Sequence, residues 1–181
     1  MTSLGGRRPL VPSPSGALDS GMSLSLRPAR PGDAALVLAL IGELAEYERL
    51  THEVDATEAA IEAALFGATP RVFCDLAEWE DAPAGLAIWF YSFSTFRGRH
   101  GIYLEDLFVR PQFRGRGVGR ALLAGLARRC VAEDLPRLEW SVLDWNEPAL
   151  SFYRALGATA MDGWTVERLD GEALERLGAG R

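Results

Sequence analysis

Apolar side chains recur along this chain with two distinct periods. In residues 23–29 they alternate (Leu24, Leu26), the two-residue repeat of a strand with one buried face. Pro31-Gly32-Asp33 then opens a stretch in which Leu36, Val37, Leu40, Ile41 and Leu44 follow helical spacing, predicting a helix that runs to about Glu48. Thr57 reads as the N-cap of a shorter helix carrying Ile61, Leu65 and Phe66. Three strand-like runs follow, over 71–78, 84–93 and 101–109. The first two are separated by a turn around Asp81-Ala82-Pro83 and the last two by Arg97-Gly98-Arg99-His100-Gly101. Such a meander implies antiparallel pairing.

Residues 118–133 form the strongest helical pattern, with Leu122, Leu123, Leu126 and Val131 as its expected buried side. A strand is expected over 137–143 and a helix over 148–156 capped by Gly157. A last strand is expected over 164–169, with a short helix after Gly171. The predicted order is β-α-α-β-β-β-α-β-α-β. This is one α/β domain over residues 23–181, with a mixed, mostly antiparallel sheet of six to seven strands flanked by helices. Residues 1–22 are rich in Gly, Ser, Pro and Arg without apolar periodicity. They read as a disordered tail, or as an early start preceding a true start at Met22.

Composition narrows the chemistry more than the fold. The 181 residues are 48% hydrophobic and 24% charged, ordinary for one soluble domain, and no apolar run is long enough to span a bilayer. The net charge of −6 argues against a nucleic-acid binder built on a basic surface. An acidic surface suits a cationic substrate, although acidity also serves plain solubility. All 19 basic residues are Arg. With no Lys, Schiff-base chemistry, a Walker lysine and a Ser-Lys pair are all excluded. Cys74 and Cys130 are too few and too far apart for a disulfide framework or a metal site, and they read as reduced, buried thiols of a cytoplasmic protein. His52 and His100 lack the spacing of a metal pair, so no metal is expected. The five Trp read as core and cleft wall rather than a base-stacking platform.

One segment carries a chemical signal. Gln112-Phe113-Arg114-Gly115-Arg116-Gly117-Val118-Gly119 follows a predicted strand and opens a predicted helix. Glycines permit positive φ and close approach to a ligand, and a helix N-terminus presents unpaired N–H groups. Together these make a phosphate cradle. A P-loop would need Gly-Lys-Ser/Thr. A dinucleotide fingerprint would need a third Gly where Arg120 stands, and its first Gly directly at the strand end. A flexible Gly/Arg turn without a ligand is the remaining reading of the loop by itself.

Flanking residues add to it. Tyr103-Leu104-Glu105-Asp106-Leu107-Phe108-Val109, followed by Pro111 and the glycine loop, resembles the central signature of GNAT-type acetyltransferases. The downstream run Asp144-Trp145-Asn146-Glu147-Pro148, with Phe152-Tyr153-Arg154 and Leu156-Gly157-Ala158, resembles that family's second cofactor segment. Within the family, three stretches resemble the spermidine/spermine acetyltransferases. They are Glu43-Leu44-Ala45-Glu46-Tyr47-Glu48, Ile102-Tyr103-Leu104-Glu105-Asp106 and Val142-Leu143-Asp144-Trp145-Asn146. The last of these, with Arg154-Ala155-Leu156-Gly157-Ala158, stands nearer the thialysine branch.

This resemblance implies a GNAT-like domain that transfers acetyl from acetyl-CoA to a primary amine of a small molecule. A protein or peptide acceptor, or a non-catalytic acetyl-CoA-binding module, are the alternatives. It implies that Leu107, Phe108 and Val109 pair with the pantetheine arm and that Arg114, Gly115, Arg116, Gly117, Val118, Gly119 and Arg120 hold the pyrophosphate. Asn146, Glu147, Pro148 and Ala149 would line the second cofactor segment. Glu105 matches the family's base and Tyr153 its acid. Tyr47, Glu48, Glu105, Glu139, Trp140 and Ser141 match acceptor-contacting positions. The family also implies a homodimer.

Read from the residues alone, Glu105 in an apolar strand could be partly buried with a raised pKa, or a strand-end carboxylate paired with an Arg. Phe152 and Tyr153 are adjacent in a helix and should not share a face. Arg49-Leu50-Thr51-His52 replaces the acidic run expected of the polyamine branch, and an Arg there suits a substrate carboxylate.

Overall fold

Three successive antiparallel pairings and one parallel pairing build a five-stranded sheet in the order β1-β2-β3-β4-β5. The strands are β1 (Leu24–Pro28), β2 (Phe73–Trp79), β3 (Ala82–Ser94), β4 (Arg99–Val109) and β5 (Leu138–Trp140). The helices are α1 (Ala34–Glu48), α2 (Glu58–Phe66), α3 (Val118–Ala132), α4 (Glu147–Ala155) and α5 (Gly171–Gly178). The computed structural model describes residues 23–180, so the expectation for residues 1–22 lies outside the described residues. The chain divides after Trp140 into two units.

The first unit holds the whole sheet with α1, α2 and α3. Parallel pairing of β4 and β5 requires a crossover, and α3 supplies it. One layer of core lies between α1, α2 and the sheet, where Val37, Leu40, Leu44, Leu65, Cys74, Leu76, Leu86, Ile88 and Phe108 cluster. Fully buried side chains such as Leu40, Leu76 and Leu86 each contribute roughly 1.5–3 kcal/mol. On the opposite face α3 touches all five strands and buries Val118, Leu122, Leu123, Leu126 and Cys130. Val131, expected on that side, is 83% exposed, and the helical repeat that passes through Leu122 and Leu126 reaches Cys130 instead. Both cysteines are free and buried, and burial pushes the Cys74 thiol up to about 12.

Local chemistry explains the element ends. Thr57 caps α2 by accepting from Ala60 N–H at 3.2 Å. Glu80 and Asp81 both adopt positive φ, as a two-residue primed turn demands. β3 therefore starts at Ala82, inside the turn expected from the sequence. The next turn is also shorter than expected, because Arg99, His100 and Gly101 already belong to β4. Arg27 ties β1 to its neighbours, donating to Asp33 at 2.6 Å and to Glu78 at 2.8 Å. The guanidinium holds the Asp33 carboxyl below the usual range.

The second unit holds α4 and α5. Gly157 and Ala158 N–H groups bond back to Arg154 and Tyr153 carbonyls at 3.0 and 3.1 Å, closing the end of α4. No strand forms over 164–169 in the described residues, and β5 keeps only three of the seven residues expected over 137–143. The sheet therefore has five strands rather than six to seven. The segment 164–169 pairs with no strand among the described residues, and Trp164 and Val166 are exposed there.

Candidate active site

β4 changes character in its middle. Ile102, Leu104, Asp106 and Phe108 alternate in sequence, so an unbroken strand would place all four on one face. Instead Trp89 faces Leu104 while Ile88 faces Asp106, leaving Glu105 as an extra, unpaired residue. Trp89 lies under Arg129 of α3, with 4.8 Å between guanidinium and ring, so Leu104 and Ile102 belong to the α3 face. Ile88 and Phe108 belong to the α1 core, which puts Asp106 on that side. The bulge thus switches the strand from one core to the other.

Three carboxylates meet electrostatically around this bulge. Glu105 is exposed rather than partly buried, because the bulge pushes it off the ladder. The half-buried carboxyl is its neighbour Asp106, which burial pushes up to about 6, with the charges of Glu105 and Glu48 adding to the effect. Burial also raises Glu48, the last residue of α1. Among the described residues no Arg or His forms an ion pair with Glu48, Glu105 or Asp106. α1 stops at Glu48 because Arg49 turns left-handed at φ 63°, and the Leu50 N–H closes onto Ala45 at 2.8 Å. Tyr47 and Glu48 therefore sit at a defined helix end.

The bulge also marks where β4 loses a neighbour. Its pairing with β5 runs from Ile102↔Leu138 to Leu104↔Trp140 and ends there. Beyond it only β3 is paired. Arg110 N–H donates to the Ala84 carbonyl of β3 at 2.9 Å. Strand amides alternate in direction, so Val109 and Leu107 direct theirs to the open edge. Glu139 and Trp140 lie on β5, opposite Tyr103 and Leu104, and the Glu139 carboxylate is paired with Arg137 at 2.8 Å.

The glycine loop continues directly from that edge. A 3₁₀ turn at Pro111–Phe113 leads into Gly115 (φ 73°) and Gly117 (φ 82°), both in a region that L side chains rarely adopt. A Cβ at either would meet nothing within 4 Å. These glycines are required by backbone shape, and the space in front of them is open. Ala121 N–H makes the first helical bond, to Gly117, so the N–H groups of Val118, Gly119 and Arg120 have no acceptor inside α3. Arg110, Arg114 and Arg116 are held by protein groups. Arg110 clasps the Glu43 carboxylate with contacts of 2.6–3.1 Å and donates to Pro83 carbonyl at 2.9 Å. Arg114 donates to Val109 carbonyl at 2.9 Å and stacks 4.5 Å over the Tyr47 ring. Arg116 lies over Trp79 at 5.2 Å.

The second unit, which starts at Ser141, carries the other expected residues. Asn146 is buried and caps α4, its side-chain oxygen accepting from Ala149 N–H at 3.3 Å. Glu147 and Pro148 form the first turn, where Glu147 accepts from Arg154 at 3.1 Å. Phe152 and Tyr153 are both half-buried with ring centroids 5.3 Å apart, so their rings adjoin rather than dividing between opposite faces. Among the described residues no group of three or more His, Cys, Asp or Glu is placed to hold a metal ion.

Two features of this region escaped the sequence reading. Asp106 stood within a quoted motif, yet only the bulge reveals which face it occupies. The Arg110–Glu43 clasp joins positions 67 apart in the chain, and no local pattern signals it.

Known proteins resemble this chain over most of its length. The profile of the acetyltransferase (GNAT) family matches residues 37–158. Thialysine N-epsilon-acetyltransferase of Bos taurus is 40% identical over 163 residues, covering 84% of this chain and 95% of that protein. L-ornithine N5-acetyltransferase of Arabidopsis thaliana is 29% identical over 197 residues, covering 84% and 86%. Among solved structures, an integron cassette protein from the mobile metagenome of V. cholerae superposes with a TM-score of 0.73 at 25% identity, covering 87% of this chain and 99% of that one.

Proposed function

Because this chain belongs to the acetyltransferase (GNAT) family and is an N-acetyltransferase, we propose that it moves acetyl from acetyl-CoA to the terminal amine of a small lysine- or thialysine-like amino acid. Diamines and polyamines would be poorer acceptors. The observation that carries this reading is the bulge in β4. It sets three carboxylates, with no ion-pair partner among the described residues, beside an open backbone edge that runs into the glycine loop.

The residues suit such a cofactor. Its arm carries amides, which an open strand edge can pair, and Val109 offers its N–H there. A diphosphate suits the N–H groups of the glycine loop and of the first turn of α3. When bound, acetyl-CoA supplies an activated thioester. An alkylammonium has to lose a proton before it can attack, and Glu105 on the bulge takes that proton directly or through water. Glu48 and Asp106 hold the approaching cation. Leu107 N–H, the open-edge amide nearer the bulge, faces the negative charge that develops on the acyl oxygen. Tyr153 returns a proton to the leaving thiolate, and Asn146 to Ala149 line the second cofactor segment.

The acceptor class rests on Arg49. It follows Glu48 directly, so a cation and a carboxylate adjoin at the end of α1, which matches an acceptor bearing both charges. The relatives named for thialysine and ornithine acetylation support the same class. A homodimer is also proposed. It is supported by Met161, Trp164, Val166, Leu169, Leu174 and Leu177, all exposed within the second unit. Light scattering should give twice the chain mass, and a monomer at micromolar concentration would count against it.

A CoA-thiol release assay across thialysine, lysine, ornithine, putrescine, spermidine and an N-terminal peptide tests the central reading. Thialysine or lysine should show the highest kcat/KM. Preference for the peptide would move the acceptor to protein, and no release with any amine would leave a binding module.

A further inference from the structure

Arg114 opens the glycine loop, where a side chain aimed at phosphate would be expected. Its guanidinium is instead spent on protein. Nε donates to the Val109 carbonyl at 2.9 Å, and the guanidinium carbon lies 4.5 Å from the Tyr47 ring centre and 5.9 Å from that of Phe108. The side chain therefore runs from the loop, across the end of β4, to the last turn of α1. A planar guanidinium can donate in its plane and stack on its face at the same time. A Lys ammonium cannot do both.

Tyr47 is well placed to receive it. The residue packs against the buried core through α1, and the helix end beyond it is closed by the Leu50–Ala45 bond. The loop on the other side has two positive-φ glycines with open space before them. A loop of that kind loses conformational freedom when it grips a ligand, and a strap to a rigid helix lowers that loss in advance.

We infer that Tyr47 acts on the cofactor side, as a positioning residue that holds the glycine loop in its binding shape through Arg114. The inference rests on the acetyl-CoA reading of the loop. It moves Tyr47 from the acceptor wall to the support of the cofactor site.

Titration calorimetry with CoA on the full chain tests it with four variants: Tyr47→Phe, Tyr47→Leu, Arg114→Lys and the Tyr47→Leu/Arg114→Lys pair. Tyr47→Leu and Arg114→Lys should each weaken CoA roughly three- to tenfold, the scale of one stacked cation. The pair should be no weaker than Arg114→Lys alone, because both changes cut the same strap. Tyr47→Phe keeps the ring face and should bind CoA as the wild type does. Thermal melts of each variant separate a loosened loop from a damaged fold. Unchanged CoA affinity in Tyr47→Leu, or additive losses in the pair, would overturn the inference and return Arg114 to the phosphates. Failure of the wild type to bind CoA would overturn the underlying reading instead.

Discussion

The two halves of β4 share a strand but not a task. From Ile102 to Leu104 the strand is paired on both sides, and Ile102 and Leu104 are 0% and 1% exposed beneath α3. From Asp106 onward it has one neighbour, faces the other core, and carries a half-buried carboxyl next to an open edge. A single inserted residue, Glu105, separates them. The difference shows how a strand can be paired and covered along one stretch and open at its edge along the next, with no loop between.

The sharpest way to break the comparison is to delete Glu105. Leu104 and Asp106 would then be adjacent, and ordinary alternation would keep each on its present face. The chain should fold, with an unchanged far-ultraviolet circular dichroism spectrum, while CoA release falls by roughly a thousandfold as base and bulge disappear together. Truncation in the supporting half should act on stability instead. Leu104→Ala should cost about 3 kcal/mol in urea denaturation, whereas Leu107→Ala, half-buried beyond the bulge, should cost under about 1.5 kcal/mol. Glu105→Gln keeps the bulge and removes only the charge. It should lower kcat about a hundredfold and leave CoA affinity within a factor of about two.

The smallest effect concerns Asp106 and has a definite sign. Its folded pKa of about 6 lies above the ordinary 3.8. Between those values the folded protein keeps a proton that the unfolded chain has lost, so stability falls as pH rises through that window. Asp106→Asn should therefore be more stable than wild type by up to about 2 kcal/mol at pH 7.5, with the difference gone below pH 4. The acid limb of kcat/KM near pH 6 should flatten in the same variant. An identical pH profile would remove Asp106 from the charged cluster.

How much of this was legible in the sequence follows from what is local. Thr57, the helical spacing of Leu36 to Leu44 and the three central strand runs act over a few residues, and they gave elements within a few positions of those found. The glycine loop was equally local, since Gly115 and Gly117 need their φ whatever surrounds them. The bulge was not legible, because Ile102, Leu104, Asp106 and Phe108 alternate without interruption and only pairing with β3 exposes the extra residue. Residues 164–169 failed for a related reason. An alternating segment becomes a strand only beside another strand, and that neighbour is not written in the segment itself.

The open edge beyond Leu104 has a further consequence for the life of the protein in a crowded solution. Unpaired strand backbone is a template on which other chains can assemble. Here it is only five residues long, begins with two carboxylates and ends against an arginine-rich turn. That is short of the six or seven low-charge residues that a steric zipper needs. A ligand laid along the edge would complete the sheet for as long as it stays bound, and its departure would expose that edge again.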